Sequence, residues 1–272
     1  CSPPKANEPT CPDRLNPFPP TRRGWYTERE LVEFGYFEER ERSRMKLSVI
    51  VPAYNERAFI EEILRRVEAV PIDKEIIVVD DGSTDGTREV LVKLEAEGGI
   101  KVIYHPSNRG KGAAIRTALA HVTGELTIIQ DADLEYDPDD YPDLLAPFSK
   151  GPCDVVYGTR LARGKVQRVH LFWHYVGNKF LTFVTNLLFN STLSDMETGY
   201  KVFRTELLKS LKLKANRFDI EPELTAKALK RRWRVFEVPI AYYGRSYDEG
   251  KKITWRDGLV ALWTLVKYRI ID

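Results

Sequence analysis

Several protein classes are excluded by what this sequence lacks. It has only three cysteines, Cys1, Cys11 and Cys153, and their spacing matches neither a metal site nor a disulfide framework. We therefore expect reduced thiols in a cytoplasmic protein. No signal peptide is visible, and no uninterrupted apolar stretch reaches the length of about eighteen residues that spans a bilayer. A transmembrane helix is therefore not expected.

A large excess of one charge is also missing. The 272 residues carry a net charge of +2 and 43% of them are hydrophobic, so the chain is neither disordered nor a tail that binds nucleic acid. This length allows one large α/β domain with appendages. Residues 1–44 form one appendage, since the first 23 residues contain seven prolines and predict an arm, which a short extension follows.

From residue 45 onward, short apolar runs alternate with segments of helical periodicity. Strands are predicted over residues 46–51, 75–79, 100–104, 126–130 and 154–157, and Pro52 is expected to end the first of them. This alternation predicts an α/β domain over residues 45–254, with a mostly parallel sheet flanked by helices. Residues 255–272 are predicted to form a C-terminal amphipathic helix.

The densest group of charges follows the predicted strand 126–130. Six of the ten residues from Asp131 to Asp140 are acidic. Carboxylates at the end of a buried strand supply hard oxygen ligands, which suit Mg²⁺ or Mn²⁺. The ligand of such an ion would be a nucleotide diphosphate, whose charge the ion neutralises as it leaves. The alternative is a solvated acidic turn after an ordinary strand.

Polar residues also follow three other predicted strands, as Asn55-Glu56, Asp80-Asp81 and Asn108-Arg109. The C-terminal ends of parallel strands form the ligand-binding edge of such a sheet, so we expect these residues to meet there. The glycines form neither a dinucleotide fingerprint nor a P-loop, because Gly110 and Gly112 have the spacing of neither. A nucleotide is therefore expected to be held by strand-end side chains and a metal ion.

Four motifs in this order resemble glycosyltransferase family 2 and its GT-A fold: Val51-Pro-Ala-Tyr-Asn-Glu56, Val79-Asp-Asp-Gly-Ser-Thr-Asp85, Asn108-Arg-Gly-Lys-Gly112 and Asp131-Ala-Asp133. The resemblance covers about residues 46–256. Its second half is similar to the dolichyl- and polyprenyl-phosphate sugar synthases, through Asp195-Met-Glu-Thr-Gly-Tyr-Lys-Val-Phe-Arg204, Phe218-Asp-Ile-Glu-Pro-Glu223 and Gly250-Lys-Lys-Ile253. Residues 1–44 match nothing in this family.

The resemblance implies roles for the motif residues. The pocket for the base and ribose is lined by Pro52, Tyr54, Glu56 and Asp81. The metal is bound by Asp131 and Asp133. Glu135 stands where dolichyl-phosphate mannose synthases often carry Gln, and as an oxygen ligand it completes the predicted metal set with one more negative charge.

Departure of a diphosphate requires positive charge beside the metal. Arg109 and Lys111 at one strand end, and Arg160 after another, are the candidates to contact the donor. For the first two, the alternative is a solvated loop. Glu221 is either a contact to the donor sugar or an acidic residue that interacts with a helix dipole.

The acceptor decides whether a base is needed. A lipid phosphate is already ionised near neutral pH and requires only cations to hold it, for which the candidates are Arg168, Arg245, Lys251 and Lys252. A sugar hydroxyl requires a carboxylate base. Asp195 stands where relatives acting on hydroxyls place theirs, and we favour an orienting role for it over that of a base.

Residues 170–189 predict a helix with a wide apolar face, rich in aromatic residues. Its polar stripe consists of His170, His174, Asn178, Thr182 and Asn186. The helix lies either in the core or on a bilayer surface, beside the basic residues Arg160, Arg163, Lys165 and Arg168. With residues 255–272, it favours peripheral attachment to the cytoplasmic face of a membrane, or pairing in a homo-oligomer or with a membrane subunit.

The sequence therefore predicts an inverting, metal-dependent glycosyltransferase that moves a hexose from a nucleotide-diphosphate sugar to a polyprenyl or dolichyl phosphate. UDP-glucose is the first expectation for the donor and GDP-mannose the second. The alternative is a family 2 enzyme acting on a hydroxyl of a soluble or cell-surface saccharide. A binding module without activity and a nucleotidyltransferase are disfavoured, since the motif residues are intact and no glycine- and arginine-rich loop follows the first strand.

Overall fold

The computed structural model describes residues 45–162, 164–169, 171–245 and 255–271. Seven strands form one sheet in the order β3-β2-β1-β4-β6-β5-β7. The strands are β1 Leu47–Ala53, β2 Lys74–Asp80, β3 Ile100–Tyr104, β4 Leu126–Ile129, β5 Val155–Thr159, β6 Lys201–Arg204 and β7 Val235–Pro239. The predicted arm 1–44, and with it Arg163, His170, Lys251 and Lys252, lies outside the described residues.

Helices cover both faces of the sheet. They are α1 Ile60–Ala69, α2 Thr87–Glu97, α3 Lys111–Leu119, α4 Tyr141–Lys150, α5 Phe172–Phe189, α6 Thr205–Ser210, α7 Ile220–Lys230 and α8 Trp255–Ile270. Alternate residues of β1 serve opposite faces: Val49 and Val51 pack in the core formed with α1 and α4, and Ile50 packs in the core formed with α3 and α7. The strand is therefore buried on both sides, which explains its continuous apolar sequence.

The expected α/β fold with a mostly parallel sheet is confirmed. One strand differs, because β6 runs antiparallel to both of its neighbours, β4 and β5. The five predicted strands are all present, with ends shifted by one or two residues. Neither β6 nor β7 was predicted; they have four and five residues.

The prediction that Pro52 ends the first strand is wrong. Pro52 lies inside β1 and pairs in register with Val79 of β2. On the other side of β1, the Ile50 carbonyl accepts a hydrogen bond from Gln130, the last contact of the β4 ladder. Pro52 comes two residues later and faces the same side, beyond the end of β4, so its missing N–H leaves no ladder bond unmade.

Helix α5 places its polar stripe inward. Asn178 contacts Asp195, the Thr182 hydroxyl accepts a hydrogen bond from Met196 N–H, and Asn186 bonds to the backbone of Leu193. The core-helix alternative is excluded, because most aromatic side chains of α5 are exposed. None of the helices in the described ranges is long and apolar enough to cross a membrane.

Candidate active site

The carboxylate of Asp81, at the end of β2, is buried and fully engaged. Its Oδ1 lies 2.7 Å from His105 Nδ1, and its oxygens accept hydrogen bonds from the backbone N–H groups of Arg109 and Gly110. Asp81 therefore fixes the loop that leads into α3. Because the loop is held there, the backbone of Arg109 and the side chain of Lys111 lie at the C-terminal edge of the sheet.

Arg245 joins three carboxylates at the end of β4. Its Nη2 lies 2.6 Å from Asp133 Oδ2 and its Nη1 lies 3.5 Å from Glu56 Oε2. Its backbone N–H donates to Glu135 Oε1 at 2.8 Å, and the Tyr242 hydroxyl donates to Glu135 Oε2 at 2.7 Å. Arg245, predicted from the sequence to hold the acceptor phosphate, thus lies at the predicted metal carboxylates.

The backbone of this acidic segment is strained. Leu134, between Asp133 and Glu135, has a φ of 60°, and Asn55, beside Glu56, has a φ of 53°. Left-handed backbone at a residue such as Leu costs free energy and is concentrated at functional sites. Burial raises the pKa of Asp133 to about 7, and the charges of Asp131 and Glu135 add to this effect. The segment is thus built at a cost in stability.

Two lysines hold Glu221 and Asp131 together. Lys111 Nζ lies 2.6 Å from Asp131 Oδ1 and 3.1 Å from Glu221 Oε1, and Lys201 Nζ lies 2.5 Å from Glu221 Oε2. Burial alone would lower the pKa of Lys111, but the charges of Asp131 and Glu221 outweigh it and raise this pKa. Lys111 is therefore no solvated loop residue, and Glu221 is more than an acidic residue at a helix N-terminus.

Asp195 is fully buried and is held by Arg160. Arg160 Nε and Nη2 donate to its two oxygens at 2.7 and 2.8 Å, the Arg160 N–H donates at 3.0 Å, and Asn178 Nδ2 donates at 3.0 Å. Burial opposes the charge of Asp195, but Arg160 outweighs burial and lowers the pKa of the carboxyl. A carboxylate with a lowered pKa and occupied oxygens is a weak base, which agrees with an orienting role.

The residues present fit a divalent cation. Asp131 and Asp133 offer hard carboxylate oxygens, and each carries a short contact to a cationic side chain, Lys111 or Arg245, so the place favours positive charge. Within the described ranges, no three His, Cys, Asp or Glu side chains are grouped to hold a metal ion. A cation here would therefore use the two aspartates, with phosphate and water oxygens as further ligands, while Glu135 is held by Tyr242 and Arg245.

The predicted basic surface cluster is not assembled. Arg160 is buried against Asp195, and Lys165 pairs with Asp140 and Asp143 at 3.1 and 2.6 Å. Arg168 stays at the surface, where its Nη1 donates to the Gly244 carbonyl. Arg160 and Lys165 are paired because carboxylates that are distant in the sequence lie next to them in the fold. These are Asp195, Asp140 and Asp143.

Two residues that sequence reasoning left without a role complete the site. Lys201 begins β6, is fully buried, and also donates to the Thr198 carbonyl. Gly199 lies so close to Asp131 that an added Cβ would be 2.5 Å from its Oδ2. Both lie within six residues after Asp195 in the sequence, and a lysine opening an apolar strand was the available signal.

Helices α5 and α8 share a small core with α7 and expose a large apolar surface. Beneath it lie Leu181, Ala226, Leu265 and other buried side chains. We define the apolar face as Phe172, Trp173, Phe180, Phe183, Leu187, Trp255, Leu259 and Trp263, all exposed. Trp173 and Trp263 are 78% and 67% exposed. Single exposed apolar residues are ordinary, whereas these eight lie on two helices that pack against each other.

Comparison with known proteins now decides the family. The family model "Glycosyl transferase family 2" matches residues 48–212, more than half of the chain. The chain belongs to glycosyltransferase family 2. This confirms the expected family, and the matched residues include every strand-end carboxylate described above.

Family 2 relatives also support the predicted branch. The chain is 29% identical over 211 residues to a dolichol-phosphate mannosyltransferase of Pyrococcus furiosus, with 76% of this chain and 59% of that protein covered. It is 31% identical over 210 residues to a UDP-N-acetylglucosamine–dolichyl-phosphate N-acetylglucosaminyltransferase of Methanococcus voltae, with 71% and 83% covered. The chain thus spans well under two thirds of the length of the Pyrococcus protein.

Solved structures confirm the GT-A fold. Glucosyl-3-phosphoglycerate synthase from Mycobacterium tuberculosis, in complex with Mn²⁺, uridine diphosphate and phosphoglyceric acid, superimposes with a TM-score of 0.68. The superposition covers 86% of this chain and 82% of that one at 22% sequence identity. At this identity the likeness establishes the architecture, and the substrates in that crystal remain those of the mycobacterial enzyme.

Proposed function

We propose that this family 2 glycosyltransferase moves one hexose from a nucleotide-diphosphate sugar to a polyprenyl or dolichyl phosphate, with inversion at the anomeric carbon. The observation that carries the proposal is the meeting of Asp131 and Asp133 with Lys111 and Arg160 at one sheet edge, beside helix α5. A phosphorylated donor needs the acidic pair with its metal and the cations, and a lipid acceptor needs an apolar approach.

The donor side rests on strand-end chemistry. Pro52, Tyr54, Glu56 and Asp81 border the carboxyl ends of β1 and β2, where the base and ribose would bind. Mg²⁺ or Mn²⁺ on Asp131 and Asp133 would supply charge neutralisation for the departing diphosphate. Lys111, already fixed between Asp131 and Glu221, adds positive charge at that point without reorganisation.

The acceptor side rests on Asp195. Its oxygens are occupied by Arg160 and Asn178, so it orients the arginine and takes no proton. A phosphate acceptor needs no base, since its oxygen is ionised near neutral pH. The candidates to bind it are Arg168 and Arg245, together with Lys251 and Lys252. The rival hydroxyl acceptor would require Asp195 to act as a base, against its lowered pKa.

Two further parts of the proposal concern the sugar and the location of the protein. Glucose from UDP-glucose is our first choice for the sugar, and mannose from GDP-mannose the second, the latter favoured by the name of the Pyrococcus relative. We also place the protein on the cytoplasmic face of a membrane, with the apolar face of α5 and α8 in the bilayer surface. A second copy or a membrane subunit on that face is the alternative.

The test is transfer of labelled sugar into a product that organic solvent extracts. Purified protein is incubated with polyprenyl phosphate and Mg²⁺, and with UDP-glucose or GDP-mannose in separate tubes. We expect label in the organic phase from one donor, lost in Asp133→Ala and kept in Asp139→Ala, whose exposed carboxylate lies in the same acidic segment. Metal-dependent hydrolysis of a donor without extractable label would refute the lipid acceptor and favour a saccharide.

A further inference from the structure

The loop between Asp195 and β6 forms a wall of the site, and its position is tightly set. Gly199 approaches Asp131 so closely that no side chain fits between them, and its N–H donates to the Tyr136 hydroxyl at 2.7 Å. Lys201 ties the loop carbonyl of Thr198 to Glu221 on α7. Any molecule bound at Asp131 and Glu221 therefore lies against this loop.

Glu197 is the charged residue of this loop, and one of its carboxylate oxygens lacks a hydrogen-bond partner. Among the described residues, its Oε1 is a buried oxygen with no hydrogen bond, and so is the neighbouring Thr198 Oγ1. The two nearest cations are already used, because Lys201 pairs with Glu221 at 2.5 Å and Arg160 pairs with Asp195 at 2.7 Å. Burial raises the pKa of Glu197 to about 7, and Lys201 opposes this effect only in part.

A buried carboxylate oxygen without a donor costs free energy, and native proteins keep few such atoms without a functional reason. The missing partner is a hydrogen-bond donor. A further fixed cation is not required, since Lys111, Lys201 and Arg160 already stand around the loop. A hydroxyl-rich ligand matches this need, because each of its hydroxyls can donate a hydrogen bond to Glu197 Oε1.

The position of Glu197 selects the part of the donor that it meets. The predicted base pocket lies at the ends of β1 and β2, on one side of Asp131. Glu197 precedes β6, which adjoins β4 on the side away from β1 and β2, and it lies near the charges of Lys201 and Arg160. A nucleotide-diphosphate sugar with its phosphates at Asp131 therefore extends its sugar toward Glu197.

We infer that Glu197 accepts a hydrogen bond from a hydroxyl of the hexose being transferred and determines which sugar is bound. The inference rests on the proposed function, and it deepens that function by naming a residue for sugar selection. In this inference Glu197 contributes to the affinity for the sugar. The nucleotide is bound by the residues at the ends of β1 and β2.

Calorimetry with four probes tests this inference. UDP, UDP-glucose, GDP and GDP-mannose are titrated, each with Mg²⁺, into the whole chain and into Glu197→Ala and Glu197→Gln. For the donor that the protein prefers, we expect Glu197→Ala to weaken the nucleotide sugar about tenfold or more and the matching diphosphate less than about twofold. Glu197→Gln, which keeps an acceptor oxygen, is expected to fall between the two. Exposed Glu206→Ala is the matched control.

Thermal unfolding separates a ligand contact from a structural role. Because one carboxylate oxygen of Glu197 lacks a hydrogen-bond partner, Glu197→Gln is expected to keep or raise the Tm, whereas loss of a structural carboxylate would lower it. Equal affinity of wild type and Glu197→Ala for the nucleotide sugar, or a lowered Tm, would overturn the inference and leave the proposed function intact. Failure of the wild type to bind any of the four probes would overturn both.

Discussion

The strand-end site and the apolar face depart from the usual distribution of side chains in opposite directions. At the site, charged groups such as Asp195, Lys201 and Glu221 are buried, whereas on the apolar face Trp173 and Trp263 are exposed. Globular proteins seldom tolerate either arrangement over a large area. The site compensates internally, since nearly every buried charge has a partner at 2.5–3.1 Å. The apolar face has no such compensation among the described residues.

Helix α5 belongs to both regions. Asn178 on its inner side donates to Asp195, while Trp173, little more than one turn earlier, is exposed. The comparison shows that most charges of the site are paired within the protein, whereas the rings of the apolar face have no cover among the described residues. It also suggests that changes in the two regions will be measured differently, the first through folding and catalysis and the second through association.

The largest expected effect tests whether the buried charges of the site are stabilised by their ion-pair partners within the protein. Asp195→Ala leaves the buried guanidinium of Arg160 without its carboxylate, and we expect it to lower the free energy of unfolding by about 3–5 kcal/mol in urea titrations. Asp143→Ala breaks the half-exposed pair with Lys165 and is expected to cost less than about 1 kcal/mol. Similar losses for the two variants would contradict the internal compensation.

The next effect concerns catalysis. Asp133→Ala removes a predicted metal ligand and also releases Arg245, so we expect transfer of labelled sugar to fall by about a hundredfold or more. Circular dichroism and Tm of the variant serve as the control for folding. A variant that folds and retains most of its activity would show that the acidic segment is a solvated turn.

A smaller effect is expected on the apolar face. Trp173→Glu and Trp263→Glu each place a charge on the apolar face that we propose to contact the bilayer, and we expect each to weaken binding to anionic vesicles about tenfold. Because both rings are exposed, unfolding in urea should change little. Val92→Glu, an exposed change on α2, is the control. If vesicles bind neither wild type nor variants, sedimentation of the same set tests a second copy as the occupant.

The smallest effect concerns Glu75, a carboxylate with a structural role away from the site, and its pH-dependent contribution to stability. At the opposite end of the sheet, burial opposes ionisation of Glu75, but hydrogen bonds from Ser48, Thr123 and Lys46 outweigh it and lower its pKa to about 2. Because the folded pKa is depressed, its contribution is present above about pH 4.5 and is lost as the pH falls toward 2. The stability difference between wild type and Glu75→Gln, measured by urea unfolding, should shrink over that range. A difference independent of pH would refute this role.

Much of the fold could be predicted from the sequence because it depends on local patterns. Apolar runs such as 75–79 and 126–130 predict strands, and the polar residues that follow them reach the sheet edge by the geometry of a parallel sheet. The strands β6 and β7 escaped prediction because they owe their place in the sheet to strands that are distant in sequence. The prediction that Pro52 ends β1 was wrong for a similar reason. The missing N–H of Pro52 leaves no ladder hydrogen bond unmade only because β4 ends before it.

For the candidate site, the sequence by itself determined which residues bring charge: Asp81, Asp131, Asp133, Asp195 and Arg160 stand in motifs at the ends of elements. Only the tertiary structure decided how those charges are shared. Arg160, expected on a basic surface, is paired with buried Asp195. Arg245 pairs with Asp133 in the acidic segment, and Lys201 pairs with Glu221. Pairing of this kind joins residues 20 to 112 positions apart. It therefore follows from strand order and burial, which no local pattern contains.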